Sequence, residues 1–243
     1  MRTKDSIIGE LVAEDYRAAT VFESYGIDFC CKGNRSIEDA CEKKMINPTD
    51  VLNALDNVLK TSSGENVDFT AWPKDLLVDY IEKKHHRYVE ERIPILKQYL
   101  AKIAAVHGDR HPELIEVNEL FIASAGELTK HMKKEELVLF PHIRKMVKNE
   151  MGGGELDTPH FGTVKNPIAM MMSEHENEGD RFEKIEKLTN GYIPPSDACS
   201  TYTVAFSMLK EFEQDLHRHI HLENNILFPW AVKAEEAKLG SLV

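Results

Sequence analysis

His131-Met-Lys-Lys-Glu135-Glu-Leu-Val-Leu139-Phe140-Pro141 recurs further along the chain as His219-Ile-His-Leu-Glu223-Asn-Asn-Ile-Leu227-Phe228-Pro229, with five positions identical in residue and spacing. In each copy the His and Glu are four residues apart. On a helix that spacing stands both side chains on one face, a turn apart. An imidazole–carboxylate pair on each of two helices is what a metal site inside a helical bundle requires.

Four long amphipathic stretches carry or flank these copies. The first runs from about Pro73 to Val106, with His86, Val89, Ile93, Leu96, Leu100 and Ile103 at three- and four-residue intervals, the seam of a bundle. Pro94 lies inside it and is expected to kink it. The second, from about Pro112 to Lys148, holds the first copy. A loop from Asn149 to Asn166 follows, with Gly152-Gly-Gly154. The third starts at Pro167, capped by Asn166, and ends at Gly191. The fourth, from about Asp197 to Glu236, holds the second copy. No segment alternates with period two, so no strand is expected. The fold class is all-α: an antiparallel four-helix bundle over 69–243, preceded by a small helical domain over 1–60 and a polar linker over 61–68. Leu139-Phe140-Pro141 and Leu227-Phe228-Pro229 are expected to pack the bundle end, with each Pro kinking or ending its helix.

Within 1–60, Tyr16 to Tyr25 has helical spacing and Gly26 ends it. Ser36 caps a short helix, and Asn47-Pro48 opens another that carries Val51, Leu52, Leu55, Val58 and Leu59. Between them lies a loop with the vicinal pair Cys30-Cys31.

The chain has 243 residues, 42% hydrophobic and 29% charged, with a net charge of −11. That length buries a sizeable core. The acidic balance and the lack of a Lys/Arg-rich block argue against a nucleic-acid surface. No apolar run reaches the ~18–20 residues of a membrane span, and the first residues lack the apolar core of a signal peptide. A cytoplasmic protein is therefore expected, one in which four cysteines (Cys30, Cys31, Cys41 and Cys199) stay reduced.

If two helices supply a His-x-x-x-Glu pair each, the other two should supply one ligand each. His86 lies on the seam of the first helix; His85 points about 100° away and is its rival. In the third helix the one histidine is His175, on an inward stripe with Met171 or Met172, Gly179 and Phe182. The metal set is then His86, His131, Glu135, His175, His219 and Glu223. Four histidines and two carboxylates in two similar halves can hold two metal ions with the carboxylates bridging. Iron, manganese and zinc all suit mixed imidazole–carboxylate ligation. His217 and His221 lie on other faces than His219 and default to solvated or outer roles. His107, His111, His142 and His160, near helix ends or loops, are expected to be unliganded. Cys41 and Cys199 carry no motif and read as structural.

Residues 69–236 resemble hemerythrin-like domains, and the whole chain resembles the RIC family (YtfE/ScdA type) of iron–sulfur cluster repair di-iron proteins. The residues that carry this are His85-His86 ahead of Pro94, His131-Met-x-Lys-Glu135-Glu, Glu174-His175, His219-Ile-x-Leu-Glu223-Asn-Asn-x-Leu-Phe-Pro, and the N-terminal Tyr25-Gly-Ile-Asp28-Phe-Cys30-Cys31-x-Gly33. The resemblance implies two non-haem iron ions, oxo-bridged and bridged by Glu135 and Glu223, with the six residues above as ligands. It also implies that Glu127 and Glu174 line a route for solvent or iron.

The function so implied is repair of iron–sulfur clusters damaged by oxidative or nitrosative stress, with iron given from the centre to damaged iron–sulfur proteins. Oxygen-carrying hemerythrins have five His ligands, and this chain offers four. The alternatives are reduction of nitric oxide by the reduced centre and a hemerythrin-like sensor or carrier of O2 or nitric oxide. Cys30-Cys31 has two readings: small buried loop residues, or a dithiol for redox, metal transfer or docking, with Lys32 and Arg35 favouring thiolates. Catalytic roles are left open among Cys30, Cys31, Glu127 and Glu174, and the assembly state between monomer and homodimer.

Overall fold

A computed structural model describes residues 2–60, 67–150, 152 and 159–240. Residues 61–66 of the predicted linker, and 151 and 153–158 of the predicted 149–166 loop, lie outside the described residues. Four short helices come first: α1 (Ile8–Glu14), α2 (Arg17–Ser24), α3 (Ile37–Lys44) and α4 (Pro48–Lys60). The starts of α3 and α4 follow the sequence signals. Ser36 Oγ accepts the Asp39 N–H at 3.0 Å, and Asn47 Oδ1 accepts the Thr49 N–H at 3.0 Å, so each satisfies a donor at a helix N-terminus that has no partner within the helix.

Four long rods follow. The first, α5, is Lys74–Tyr80, a widened π turn Ile81–His86, and Arg87–His107, and it continues through Pro94. The second, α6, is Glu113–Lys134, a π turn Glu135–Leu139, and Phe140–Glu150. The third, α7, is Lys165–Leu188. The fourth, α8, is Ser200–Leu222, a π turn Glu223–Leu227, and Phe228–Gly240. The rods contact their neighbours in a ring, α5 with α6, α6 with α7, α7 with α8 and α8 with α5. No strand occurs among the described residues.

The seam read from sequence is the buried one: Val89, Leu96, Leu100 and Ile103 of α5 are at most 1% exposed and face Phe121, Phe182, Phe206 and Phe212. Each such side chain removed from water contributes roughly 1.5–3 kcal/mol. The same core includes Val12, Phe22, Phe29, Ile37, Val51 and Leu55. The N-terminal helices therefore share an apolar interior with the bundle.

Of the two outcomes expected at the Leu-Phe-Pro triplets, a kinked or an ended helix, the second does not occur. Neither Pro ends its helix, because α6 runs on to Glu150 and α8 to Gly240. The Phe140 N–H donates to the Glu135 carbonyl and the Phe228 N–H to the Glu223 carbonyl, five residues back. The helical ladder is thus widened one residue before Pro141 and Pro229, which have no N–H to give. Both π turns begin on a predicted metal ligand.

Candidate metal centre

The six predicted ligands meet at the level of the three π turns. Two overlapping groups form: His86, Glu135, His219 and Glu223, and His131, Glu135, His175 and Glu223. Within each group the candidate ligand atoms lie within 4.8 Å of one another, and all six side chains are buried. Glu135 and Glu223 belong to both groups. Glu135 Oε2 is 3.4 Å from His86 Nε2 and 3.3 Å from His131 Nε2. Glu223 mirrors it, 3.1 Å from His219 Nε2 and 3.3 Å from His175 Nε2.

The atoms that converge are acceptors, and the outer sides of three of the four rings are held, while His219 Nδ1 has no partner. His86 Nδ1–H donates to Glu136 Oε1 at 3.0 Å, His131 Nδ1–H to Glu174 Oε2 at 2.8 Å, and His175 Nδ1–H to Asn224 Oδ1 at 2.9 Å. A histidine that donates outward from Nδ1 presents the Nε2 lone pair inward. Inside, His86 Nε2, both oxygens of Glu135 and Oε2 of Glu223 have no hydrogen-bond partner. Each orphaned buried polar atom costs about 1–3 kcal/mol. His131 Nε2 and His175 Nε2 face each other at 3.0 Å, a pairing that two neutral lone pairs would not hold. A cation between these donors removes every one of these penalties, so the residues fit a metal.

Without metal, protons must serve instead. Burial disfavours a charged His131, but Glu135, Glu174 and Glu223 outweigh it and push its pKa up to about 10. His86 is raised for the same reason, by Glu135, Glu223 and Glu136 against its burial. Glu223 is held well below the usual carboxylate range, because His219 and His175 outweigh its burial. A metal ion would therefore enter this site by displacing protons.

The rings are walled by the triplets from the pattern. Phe140 stacks on His86 at 5.5 Å between centroids and Phe228 on His175 at 6.1 Å. The Leu-Phe-Pro segments also pack as expected, with Leu139, Phe140, Leu227 and Phe228 buried in one apolar cluster with Leu77, Ile81, Ile143 and Met171.

The surroundings of the two groups differ. Behind His219 the ring of His85 is stacked at 5.7 Å, with its Nδ1 3.1 Å from Asp215 Oδ2. His85 is buried, yet it stands outside both groups. On the other side a cavity of about 370 Å³ reaches His131 and His175, lined also by Glu127, Glu174, Glu178 and Arg181. Glu174 also pairs with Lys134, and its pKa falls to about 2, chiefly through its hydrogen bond to His131. Glu127 is exposed and pairs with Lys130 at 3.2 Å. Deeper in, Glu178 accepts from Ser124 Oγ at 2.6 Å and pairs with Arg181.

The Cys30-Cys31 loop sits against the His175 side. Cys31 Sγ donates to the His175 carbonyl at 3.2 Å. Asn224, whose Oδ1 holds His175, donates from Nδ2 to the Cys30 carbonyl at 3.1 Å, and Asn225 does so to the Phe29 carbonyl at 3.1 Å. A Cβ on Gly9 would lie 2.3 Å from Asn225 Oδ1, so Gly9 leaves the room in which Asn225 reaches the loop. The expected thiolate bias does not appear at Cys30. Lys32 is paired with Asp180 and Arg35 bonds the Lys32 carbonyl. The Cys31 thiol, burial and Asp28 push the Cys30 thiol well up.

His221, expected to be solvated or outer, is 1% exposed and packs on Phe29 and Tyr16, and burial drops its pKa to about 3. His107 lies 3.3 Å from Cys199, which is exposed; His111 spans Glu113 and Asp197; His142 packs on Phe161. Neither those three nor His160 enters either group. The sequence reasoning gave no role to Glu136, Asn224, Asn225 or Asp28, although all four stand in the stretches that carry the family resemblance.

The fold and site define an all-α bundle built to hold cations between histidines and shared carboxylates. The family described as "Hemerythrin HHE cation binding domain" matches residues 77–231, and the ScdA N-terminal family, described as "Domain of Unknown function (DUF542)", matches residues 4–59. The chain is 32% identical to the "Iron-sulfur cluster repair protein ScdA" of Staphylococcus haemolyticus, over 94% of this chain and 98% of that protein. It is 34% identical to the "Iron-sulfur cluster repair protein YtfE" of Pectobacterium atrosepticum, over 97% and 100%. It is also 34% identical to the "Probable iron-sulfur cluster repair protein" of Haemophilus influenzae, over 91% and 94%. The chain belongs to this ScdA/YtfE family.

Proposed function

We propose that this protein repairs damaged iron–sulfur clusters by giving up iron held between His86, His131, Glu135, His175, His219 and Glu223. Two ions are the natural load, one per group, with Glu135 and Glu223 shared between them. The observation that carries the reading is the asymmetry around an otherwise repeated centre. The His131–His175 side opens on a cavity lined by Glu127, Glu174 and Glu178, and acidic walls favour a departing or arriving cation. The His86–His219 side is backed by His85 and Asp215. The ion on the cavity side is the one given away, and the other stays as an anchor. Clients are iron–sulfur proteins that have lost iron. We place the reaction in the cytoplasm, where the free thiols of Cys30 and Cys31 stay reduced. Among the described residues no helix is long and apolar enough to cross a membrane.

The test loads the protein with isotopically labelled iron and incubates it with a client whose cluster has been damaged. Label appearing in a rebuilt client cluster is expected from the wild type and not from Glu135→Gln. Full client recovery with the Glu135→Gln protein, or with metal-free wild type, would contradict the proposal.

A further inference from the structure

Outside the six-residue centre, one more group of metal-binding side chains converges among the described residues: Asp28, Cys30 and Cys31. Cys30 Sγ lies 3.7 Å from Cys31 Sγ and 3.5 Å from Asp28 Oδ1. In a tetrahedral site with metal–sulfur bonds of ~2.3 Å and a metal–oxygen bond of ~2.0 Å, the sulfur–sulfur edge is ~3.8 Å and the sulfur–oxygen edge ~3.5 Å. The observed edges match both. We infer that Asp28, Cys30 and Cys31 form a separate three-ligand site for a divalent cation of borderline softness, with the fourth position left to solvent or a donor from a partner.

The arrangement is held before any ion arrives. Asp28 Oδ1 accepts the backbone N–H of Cys30 at 3.1 Å and of Cys31 at 2.9 Å, which turns the carboxylate and the two thiols to the same point. The loop backbone is anchored at the Phe29 and Cys30 carbonyls by Asn225 and Asn224. On α7, Gly179 leaves the space that Cys31 fills; a Cβ there would stand 3.0 Å from the sulfur. Both sulfurs are buried, Cys30 at 3% and Cys31 at 7% exposure, while Asp28 is half-buried and gives the site its face toward solvent. Binding replaces two S–H protons, which pass to solvent, and leaves one cation with two thiolates and one carboxylate, net charge −1. Two soft donors and one hard donor select zinc or ferrous iron over magnesium or calcium. The set differs in kind from the imidazole–carboxylate centre, so the two sites sort ions by chemistry, and the inference does not depend on which ion that centre holds.

The experiment adds zinc to the iron-loaded full chain, removes excess by gel filtration, and measures retained zinc and iron by mass spectrometry and the zinc shell by X-ray absorption. One zinc per chain is expected beyond the iron, with two sulfur neighbours at ~2.3 Å. Cys30→Ser, which leaves the Cys31 contact with His175 in place, should weaken zinc retention on the order of 100-fold or more with iron content unchanged. Failure of the wild type to retain zinc, or a zinc shell of nitrogen and oxygen alone, overturns the inference whatever the variant does. Equal retention by a Cys30→Ser protein that keeps its iron overturns it as well.

Discussion

Glu136 and Leu137 follow the first shared carboxylate, and Asn224 and Asn225 follow the second. Inside the bundle the two copies act alike: each offers a His, a Glu, a π turn and a Phe that covers a ligand ring. Outside they diverge. Glu136 reaches back to His86 on α5, and Leu137 is left 74% exposed. Asn224 holds His175 with one end and the Cys30 loop with the other, and Asn225 holds Phe29. Internal repetition builds the proposed metal cage, and two non-repeated positions tie the Cys30 loop to the His175 side. Under the proposed iron release, equivalent ligands thus acquire inequivalent exits.

The comparison can be broken most completely at what the copies share. Glu135→Gln or Glu223→Gln removes a charge common to both groups, so metal analysis should find both positions lost together; retention of one full equivalent would show that the carboxylates are not shared. A smaller effect separates the sides. Glu174→Gln weakens the support of His131 and should speed loss of the cavity-side ion to a chelator by about 10–100-fold, the usual range for an outer partner of a metal ligand. Glu136→Gln should act on the slower ion instead, which stopped-flow chelation resolves as a change in the second phase.

A third change should leave both sides alone. Glu213 of α8 is 8% exposed, and burial with the nearby Glu186 pushes its pKa up to about 8 from 4.5. Between those values the folded state keeps a proton that the unfolded chain releases. Stability therefore falls as pH rises through that window and levels off above about 8. Glu213→Gln should remove this slope and raise stability at pH 8 by on the order of a few kcal/mol, read by denaturant melts, with the two chelation phases unaltered.

The rods and their ligands were legible because each rests on helical period: the α5 seam with His86, and His and Glu four apart in α6 and α8. His175 followed as the one histidine of its helix. The π turns were not legible as such. A widened turn leaves no residue signature of its own, and Pro141 and Pro229 announced a disturbed ladder without saying that the helix would absorb it. His85 was placed away from the seam by α-helical geometry; it is nonetheless buried, in the π turn Ile81–His86. His221 read as solvated or outer, and the first was open only because the surface that buries it comes from Tyr16 and Phe29, far away in sequence. The thiolate expectation at Cys30 failed because the adjacent Cys31 thiol, burial and Asp28 raise its pKa, while Lys32 pairs with Asp180, distant in sequence.

Chelator extraction of the iron-loaded wild type, followed in time alongside Glu174→Gln, is the most direct test of unequal exits from a repeated cage. Two kinetic phases of one iron each are predicted, with Glu174→Gln accelerating only the first. A single phase releasing both irons together, unchanged by Glu174→Gln, would contradict the account.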